Sequence, residues 1–285
     1  MPDIDIAPLR AQLGRKIVDE DVATEAPLRG MTVTFDRDEP PPRHGEPVPP
    51  GWHLAYFPEA TRRRELGEDG LPLERGALPK MPLPRRMYAG ATLTFHAPIL
   101  VGDALRRETE FSDVQVRRGS TGTLILATQT RRIYTPRGLA ITEDGHSVFR
   151  EAVPPGAQSG IPKRETPPEA TVWRRVLAPD AVTLFRYSAL TFNPHRIHYD
   201  RPYAMGVEGY PGLVVHGPFS QQCLLDLLRD SVRRPIKRFE LRARAPLFDT
   251  APFSVVGRPV GDAAAELWAM TPEGTIAIQA TATLG

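Results

Sequence analysis

Cysteine is nearly absent from this 285-residue chain: with Cys223 alone, no internal disulfide can form and no cysteine-rich metal site can be built. Excess charge of either sign is also missing. The 36 basic and 34 acidic residues leave a net +2, which argues against a general nucleic-acid or membrane-surface binder. No apolar run reaches the length of a membrane span, and the opening MPDIDIAPLRAQLGRK lacks the apolar centre of a secretion signal, so a soluble, cytoplasmic protein is expected. The short catalytic signatures are missing as well: there is no G-x-S-x-G elbow, no Walker loop and no G-x-G-x-x-G. Cys223 falls on the apolar face of a helix, where it reads as a small hydrophobe rather than a nucleophile.

What is abundant is proline. Of the 31 prolines, 14 gather at 39–51, 78–86 and 153–170. Proline fixes φ and removes a donor, so these stretches are connections rather than helix interiors or central strands. The third, rich also in glycine and serine, is the expected linker (153–170) between an N-terminal unit (1–152) and a C-terminal unit (171–285). Each unit carries a meander of short β-branched runs. In the first half these are 91–98, 107–116, 122–134 and 138–150; in the second they are 238–248, 253–261, 264–270 and 275–284. The punctuation repeats too, Ala97-Pro98 against Ala245-Pro246 and TPRGLAI against TPEGTIAI, which points to one α+β unit used twice.

An antiparallel sheet with one apolar face needs a helix to cover it. Residues 217–234 supply one in the second half: Phe219, Cys223, Leu224, Leu227 and Leu228 share a face, and Pro218 sits in the first turn. For the first half the candidate is 51–66, which has Pro58 inside it.

Chemistry concentrates in LTFNPHRIHYDRPYA (190–204). His198 and Asp200 at i, i+2 share a side in an extended segment, whereas His195 and His198 at i, i+3 share a helical face; the spacing alone does not choose. A histidine beside a carboxylate can take and return a proton near neutrality, although a turn cap plus a core histidine would give the same residues. A zinc site would need a third ligand at a suitable spacing, and none is present. Next comes GYPGLVVHGPFS (209–220), where a helix begins at Gly217 directly after His216. The Gly217 amide would then be one of the free N–H groups at a helix N-terminus, able to hold a carbonyl oxygen that gains negative charge, or it is an ordinary glycine at a helix start. Two arginine clusters, Arg62-Arg63-Arg64 and Arg85-Arg86, could grip phosphates or a carboxylate, or could form a solvated face.

Taken together, FRYSALTFNPHRIHYDRPYA and GYPGLVVHGPFS resemble the active-site region of the MaoC-like hot-dog enoyl-CoA hydratases and dehydratases, whose signature runs S-G-D-x-N-P-x-H and then A-H-G before a helix. Ser188, Asn193, Pro194, His198 and His216-Gly217 fit in order, with one residue extra before Thr191 and His195-Arg196 as an insertion. On that register Thr191 stands where the aspartate is expected, and Asp200 is the nearest acid that could replace it. LPRRMYAGATLTFHAPILVGD (83–103), with GWHLAYF upstream, resembles the first unit of the fused mesaconyl-CoA and itaconyl-CoA hydratases.

The resemblance implies a double hot-dog fold, two antiparallel sheets each wrapped around a helix, and hydration of an enoyl-CoA thioester. A C5-dicarboxylic one is expected, itaconyl-CoA or mesaconyl-C4-CoA going to citramalyl-CoA, in itaconate degradation. It implies His198, Asp200, Asn193 and Gly217 as the catalytic set, and Arg85, Arg86, Arg196, His195, His216 and Tyr88 around the acyl group. Arg62, Arg63, Arg64 and Arg201 would meet the CoA phosphates. No metal or cofactor beyond the CoA of the substrate is expected, no nucleic-acid or membrane partner, and a homodimer or larger homo-oligomer. The rival readings are a 3-hydroxyacyl-thioester dehydratase of fatty-acyl chains, which wants a long apolar tunnel, a thioesterase using Asp226 or Asp230, and a non-catalytic acyl-CoA-binding module.

Overall fold

Alternation of apolar and polar residues sets the strands of the computed structural model, which describes residues 4–74, 76–119, 122–151, 165–168 and 170–285. In chain order the first half holds α1 (Ala7–Arg10), β1 (Lys16–Val22), α2 (Glu25–Thr34), β2 (Arg85–Phe95), β3 (Ala104–Gly119), β4 (Gly122–Thr135) and β5 (Gly138–Arg150). The second holds β6 (Trp173–Leu177), α3 (Ala181–Leu190), α4 (Arg201–Gly206), α5 (Gly217–Ser231), β7 (Ile236–Ala243), β8 (Phe253–Val260), β9 (Ala264–Met270) and β10 (Ile276–Leu284). Every meander strand expected from the sequence is present. Most of the linker expected at 153–170 lies outside the described residues.

The strands form one sheet of order β1-β3-β4-β5-β2-β7-β10-β9-β8-β6. Exchanging β1 with β6, β2 with β7, and so on through β5 with β10 reverses that order onto itself, so the sequence repeat is a structural one. The halves join where β2 pairs antiparallel with β7, from Gly90↔Arg242 to Thr94↔Arg238. Small details repeat as well. The amides of His96 and Ala97 both donate to the Ala140 carbonyl (2.8 and 3.2 Å), and those of Arg244 and Ala245 both donate to that of Ala277 (2.8 and 3.1 Å). Helices α2 and α3 end alike, with a left-handed residue (Asp36, φ 51°; Phe192, φ 49°) and a following amide bonded back into the last turn: Arg37 to Thr32 at 3.0 Å, Asn193 to Ser188 at 2.8 Å.

Helix α5 occupies the centre. Phe219, Cys223, Leu224, Leu227 and Leu228 are all buried, as expected, and α5 packs on β7, β8 and β9. Burying each of these leucines removes apolar surface worth about 1.5–3 kcal/mol. The expectation of a matching helix over 51–66 is corrected: only Trp52–Ala55 and Arg63–Glu65 turn, as short 3-10 segments. Phe57 takes a left-handed φ of 57° and Pro58 follows, so the helix cannot propagate. The strand-like lead-ins still correspond, Val48 N–H to Ile99 O and Val215 N–H to Leu247 O, both 2.8 Å. The first half therefore has a four-residue turn where the second has α5, and that turn packs on α5 itself: a Cβ on Gly51 would lie 2.2 Å from Gln222 Oε1. Among the described residues no helix is long and apolar enough to cross a membrane.

Candidate active site

The chain reaches the site through the end of α3. Its left-handed residue is Phe192, a position that suits glycine far better than a bulky side chain. In the signature S-G-D-x-N-P-x-H the glycine lies six residues ahead of the last histidine, and Phe192 lies six ahead of His198. Counted without gaps, Asn193 takes the aspartate's place, not Thr191, and His195-Arg196 is not an insertion. Thr191 is turned away in any case, its hydroxyl donating to the Tyr187 carbonyl at 2.8 Å. Asn193 Oδ1 accepts from the His195 amide at 3.1 Å, an Asx turn that launches the 3-10 segment Arg196–His198.

That segment buries His198, whose Nδ1 lies 2.7 Å from the Val214 carbonyl. A carbonyl only accepts, so Nδ1 carries a proton, and it is the neutral form of the ring that presents its lone pair at Nε2. The His198 ring stacks on His216 with centroids 3.7 Å apart and 20° between planes, while His195 meets it edge-on at 5.4 Å. His216 is fully buried and its Nε2 pairs with Ser188 Oγ at 2.8 Å. Burial, and then the neighbouring His198 and His195, drive its pKa well below the ordinary histidine value, so His216 stays neutral.

Gly217 follows His216 and opens α5, so its amide has no carbonyl four residues back within the helix. The Tyr88 ring packs closely against it: a Cβ at Gly217 would come within 2.1 Å of the ring. Tyr88 is fixed in turn by its hydroxyl, which donates to the buried Gln221 Oε1 at 2.7 Å. Tyr88 is expected at the acyl group, but nothing in the sequence signals this contact, which joins β2 of one half to α5 of the other.

The structure corrects the role expected for Asp200. One of its oxygens accepts from Arg196 Nε and Nη2 (2.9 and 2.7 Å) and the other caps α4 through the Tyr203 amide at 3.1 Å. The Arg196 bond, then the backbone bond, hold the carboxylate below its usual pKa, so Asp200 is an ion-paired helix cap rather than a partner of His198. Arg196 is correspondingly committed, with its guanidinium 4.1 Å over the Tyr203 ring. Arg85 is likewise tied to Glu208, by its side chain and by the backbone carbonyl (2.6 Å). Arg86 hydrogen-bonds Ser147 Oγ (3.1 Å) and lies 5.7 Å from the Phe149 ring. Arg62, Arg63 and Arg64 are exposed on the 59–74 loop, and Arg201 is bonded to Asp249 at the start of α4.

Outward from Tyr88 along the same face of β2, Arg86 leads into a cleft lined by Asp69, Arg85, His195, Glu208 and Tyr210. Asp69 and Glu208 were not anticipated. The only sequence signal for Asp69 is a turn-forming Asp-Gly pair in GEDG, which says nothing about a distant histidine. Among the described residues no group of three or more His, Cys, Asp and Glu side chains is arranged to hold a metal; His198 and His216 stack, and His195 meets His198 edge-on.

A family model described as hydroxyacyl-thioester dehydratase type 2 matches residues 51–249. A mesaconyl-C(4)-CoA hydratase of Chloroflexus aurantiacus is 42% identical over 276 residues, which cover 96% of this chain and 97% of the relative. Among solved structures, a MaoC-like dehydratase superposes with a TM-score of 0.73 at 15% identity, covering 97% of this chain and 99% of that one. A Mycobacterium tuberculosis protein with a double hotdog fold gives 0.58 at 12% identity, covering 96% of each. The fold is thus the expected α+β double hot-dog, with the helix reduced to a turn in the first unit. The chain is an enzyme and belongs to the hydroxyacyl-thioester dehydratase type 2 family.

Proposed function

We propose that this protein adds water to an enoyl-CoA thioester whose acyl group carries a second carboxylate, with mesaconyl-C4-CoA as the first candidate and citramalyl-CoA as product. The observation that carries the chemistry is the His198 ring, buried, stacked and fixed so that its basic nitrogen is Nε2, one residue along the stack from the free amide of Gly217. His198 Nε2 takes a proton from water as the oxygen bonds to Cβ. The electron pair moves to the thioester oxygen, which the Gly217 amide holds as an enolate, and Cα then takes a proton. No cofactor beyond the CoA of the substrate is proposed for this scheme.

The acyl carboxylate is assigned to Arg86. Arg85 and Arg196, the other cations considered, are bonded to Glu208 and Asp200, whereas Arg86 lies two residues from Tyr88 on the same face and lines the cleft. The relative at 42% identity supports a dicarboxylic substrate. The charged cleft speaks against a long fatty-acyl chain, which would need an apolar tunnel. Arg62 to Arg64 are proposed to meet the CoA phosphates, and the chain is proposed to assemble as a homodimer or larger. A substrate panel tests the reading: mesaconyl-C4-CoA should be hydrated with a kcat/KM at least ~100-fold above that of crotonyl-CoA, the ~3 kcal/mol scale of an arginine–carboxylate pair. Equal values, or preference for a long-chain enoyl-CoA, would replace the dicarboxylic assignment by the fatty-acyl one.

A further inference from the structure

Hydration needs a proton at Cα as well as a base at the water, and the residues nearest His198 in sequence cannot give it. Thr191 is bonded to backbone, Asn193 is an amide, and Asp200 is an ion-paired cap. The structure brings a carboxyl group from the other half instead. Residues 66–72 form a small hairpin, closed by the Leu66↔Pro72 bridge, whose tip is pressed against the histidine loop. The Asp69 carbonyl accepts the Arg196 amide at 2.8 Å, the Glu68 carbonyl accepts Arg196 Nη1 at 3.0 Å, and a Cβ on Gly70 would lie 2.1 Å from the Pro194 carbonyl oxygen.

This contact puts the Asp69 side chain into the cleft with His195 and Arg86. One of its oxygens, Oδ1, accepts the Leu71 amide at 2.9 Å; among the described residues no salt bridge reaches Asp69 and Oδ2 has no hydrogen-bond partner. The other carboxyl of the cleft, Glu208, is bound to Arg85. His195 links the cleft to the base, lining the first and meeting the His198 ring edge-on at 5.4 Å.

Resting on the reading of the site as an enoyl-thioester hydratase, we propose that Asp69 is its second proton-transfer group, the acid that protonates Cα. Water loses one proton to His198 Nε2 as its oxygen bonds to Cβ, and the π pair passes to Cα and the thioester oxygen. The Asp69 O–H then breaks as the Cα–H bond forms, leaving a carboxylate. Transfer of the proton from the His198 imidazolium to that carboxylate, with His195 lying alongside, resets the site, and the net change is addition of H and OH. Burial first, opposed by the Leu71 amide, and then repulsion from Glu208 raise the Asp69 pKa against the smaller opposing pull of its own amide and of Arg86, in keeping with an acid that must hold its proton.

The clean test is Asp69→Asn, which keeps the oxygen that accepts the Leu71 amide but removes the acid. With mesaconyl-C4-CoA, kcat should fall ~10²-fold or more, while KM and the melting temperature stay close to wild type. Asp69→Glu should retain more activity than Asn, and the order of this pair decides the matter even if both lower the melting temperature. His198→Gln is run alongside. If Asp69→Asn keeps wild-type kcat while His198→Gln is inactive, the assignment of Asp69 is wrong and the hydratase reading stands. If neither substitution matters, the hydratase reading itself falls.

Discussion

Substitution of Gly217 by alanine probes the contact that joins the two halves at the proposed oxyanion site. The added Cβ would stand 2.1, 2.6 and 2.8 Å from three atoms of the Tyr88 ring, against an ordinary contact of 3.4–4 Å. The ring cannot simply swing away, because its hydroxyl is bonded to the buried Gln221 and the ring belongs to β2, a central strand. Either the ring is displaced by more than an ångström or α5 shifts at its first turn. Overpacking of this kind costs about 1–3 kcal/mol, which for a chain of this size lowers the melting temperature by about 2–10 °C. A displaced Gly217 amide should also lose its alignment with the enolate oxygen, a loss of about 10²–10³ in kcat. Calorimetry and steady-state hydration kinetics measure both effects. The double variant Gly217→Ala/Tyr88→Ala separates the clash from anything else, since removing the ring makes room for the methyl group, and the stability losses of the two single variants should then fail to add by about 1–2 kcal/mol. Gly217→Ala with wild-type melting and turnover, or strictly additive losses, would refute the argument.

Three further outcomes follow from the geometry. His216 is held neutral in the folded chain and titrates near 6.5 when unfolded, so the unfolded state binds the extra proton first and acid destabilises the fold. Urea unfolding should show that His216 lowers stability, on the order of 1 kcal/mol, as the pH falls from about 7.5 to about 5.5, a dependence that His216→Phe removes; an unchanged slope would mean that His216 already binds its proton in the fold. Asp200→Asn keeps the helix cap but loses the charge facing Arg196, so turnover should stay within a few-fold of wild type while the melting temperature drops slightly; a loss of orders of magnitude would restore Asp200 to the catalytic set. Gly70→Ala places a side chain at φ 86° and within 2.1 Å of the Pro194 carbonyl oxygen, so melting temperature and kcat should fall together, because the same contact seats the hairpin and the histidine loop; a drop in neither would show that the hairpin is not wedged there.

The strands and α5 were legible because one period of burial governs each: every second residue in the meander, and one face at i, i+4, i+5, i+8, i+9 in the helix. Edge strand β1 was passed over because its polarity runs against the usual alternation: Asp19 and Asp21 share the inward face with Ile17, while Val18 and Val22 are exposed. Helix α2 was missed because Pro27 and Gly30 lie inside it, which propensity counts against a helix although Pro27 sits in the first turns, where proline is tolerated. The false helix at 51–66 came from the reverse error, since symmetry with α5 placed a turn there correctly but Phe57-Pro58 ends it at once. At the site, His198, His216 and Gly217 could be read because they lie in one continuous stretch. Asp200 misled for the same reason: sequence proximity to His198 is not side-chain proximity once a 3-10 turn and a helix cap intervene. Tyr88, expected at the acyl group from the resemblance, is brought to Gly217 by the pairing of β2 with β7, whereas Asp69 also comes from the other half and only the hairpin contact brings it in.

The central claim is that a base fixed at His198 Nε2 adds water across an enoyl thioester. Its most direct measurement is the loss of enoyl absorbance when mesaconyl-C4-CoA is mixed with the wild-type protein and with His198→Gln, together with the mass of the product. The wild-type protein should consume the double bond and give a product heavier by one water, and the variant, folded to the same melting temperature, should slow this by ~10³-fold or more. Equal rates for the two proteins, or a wild-type protein that binds the thioester without consuming the double bond, would contradict it.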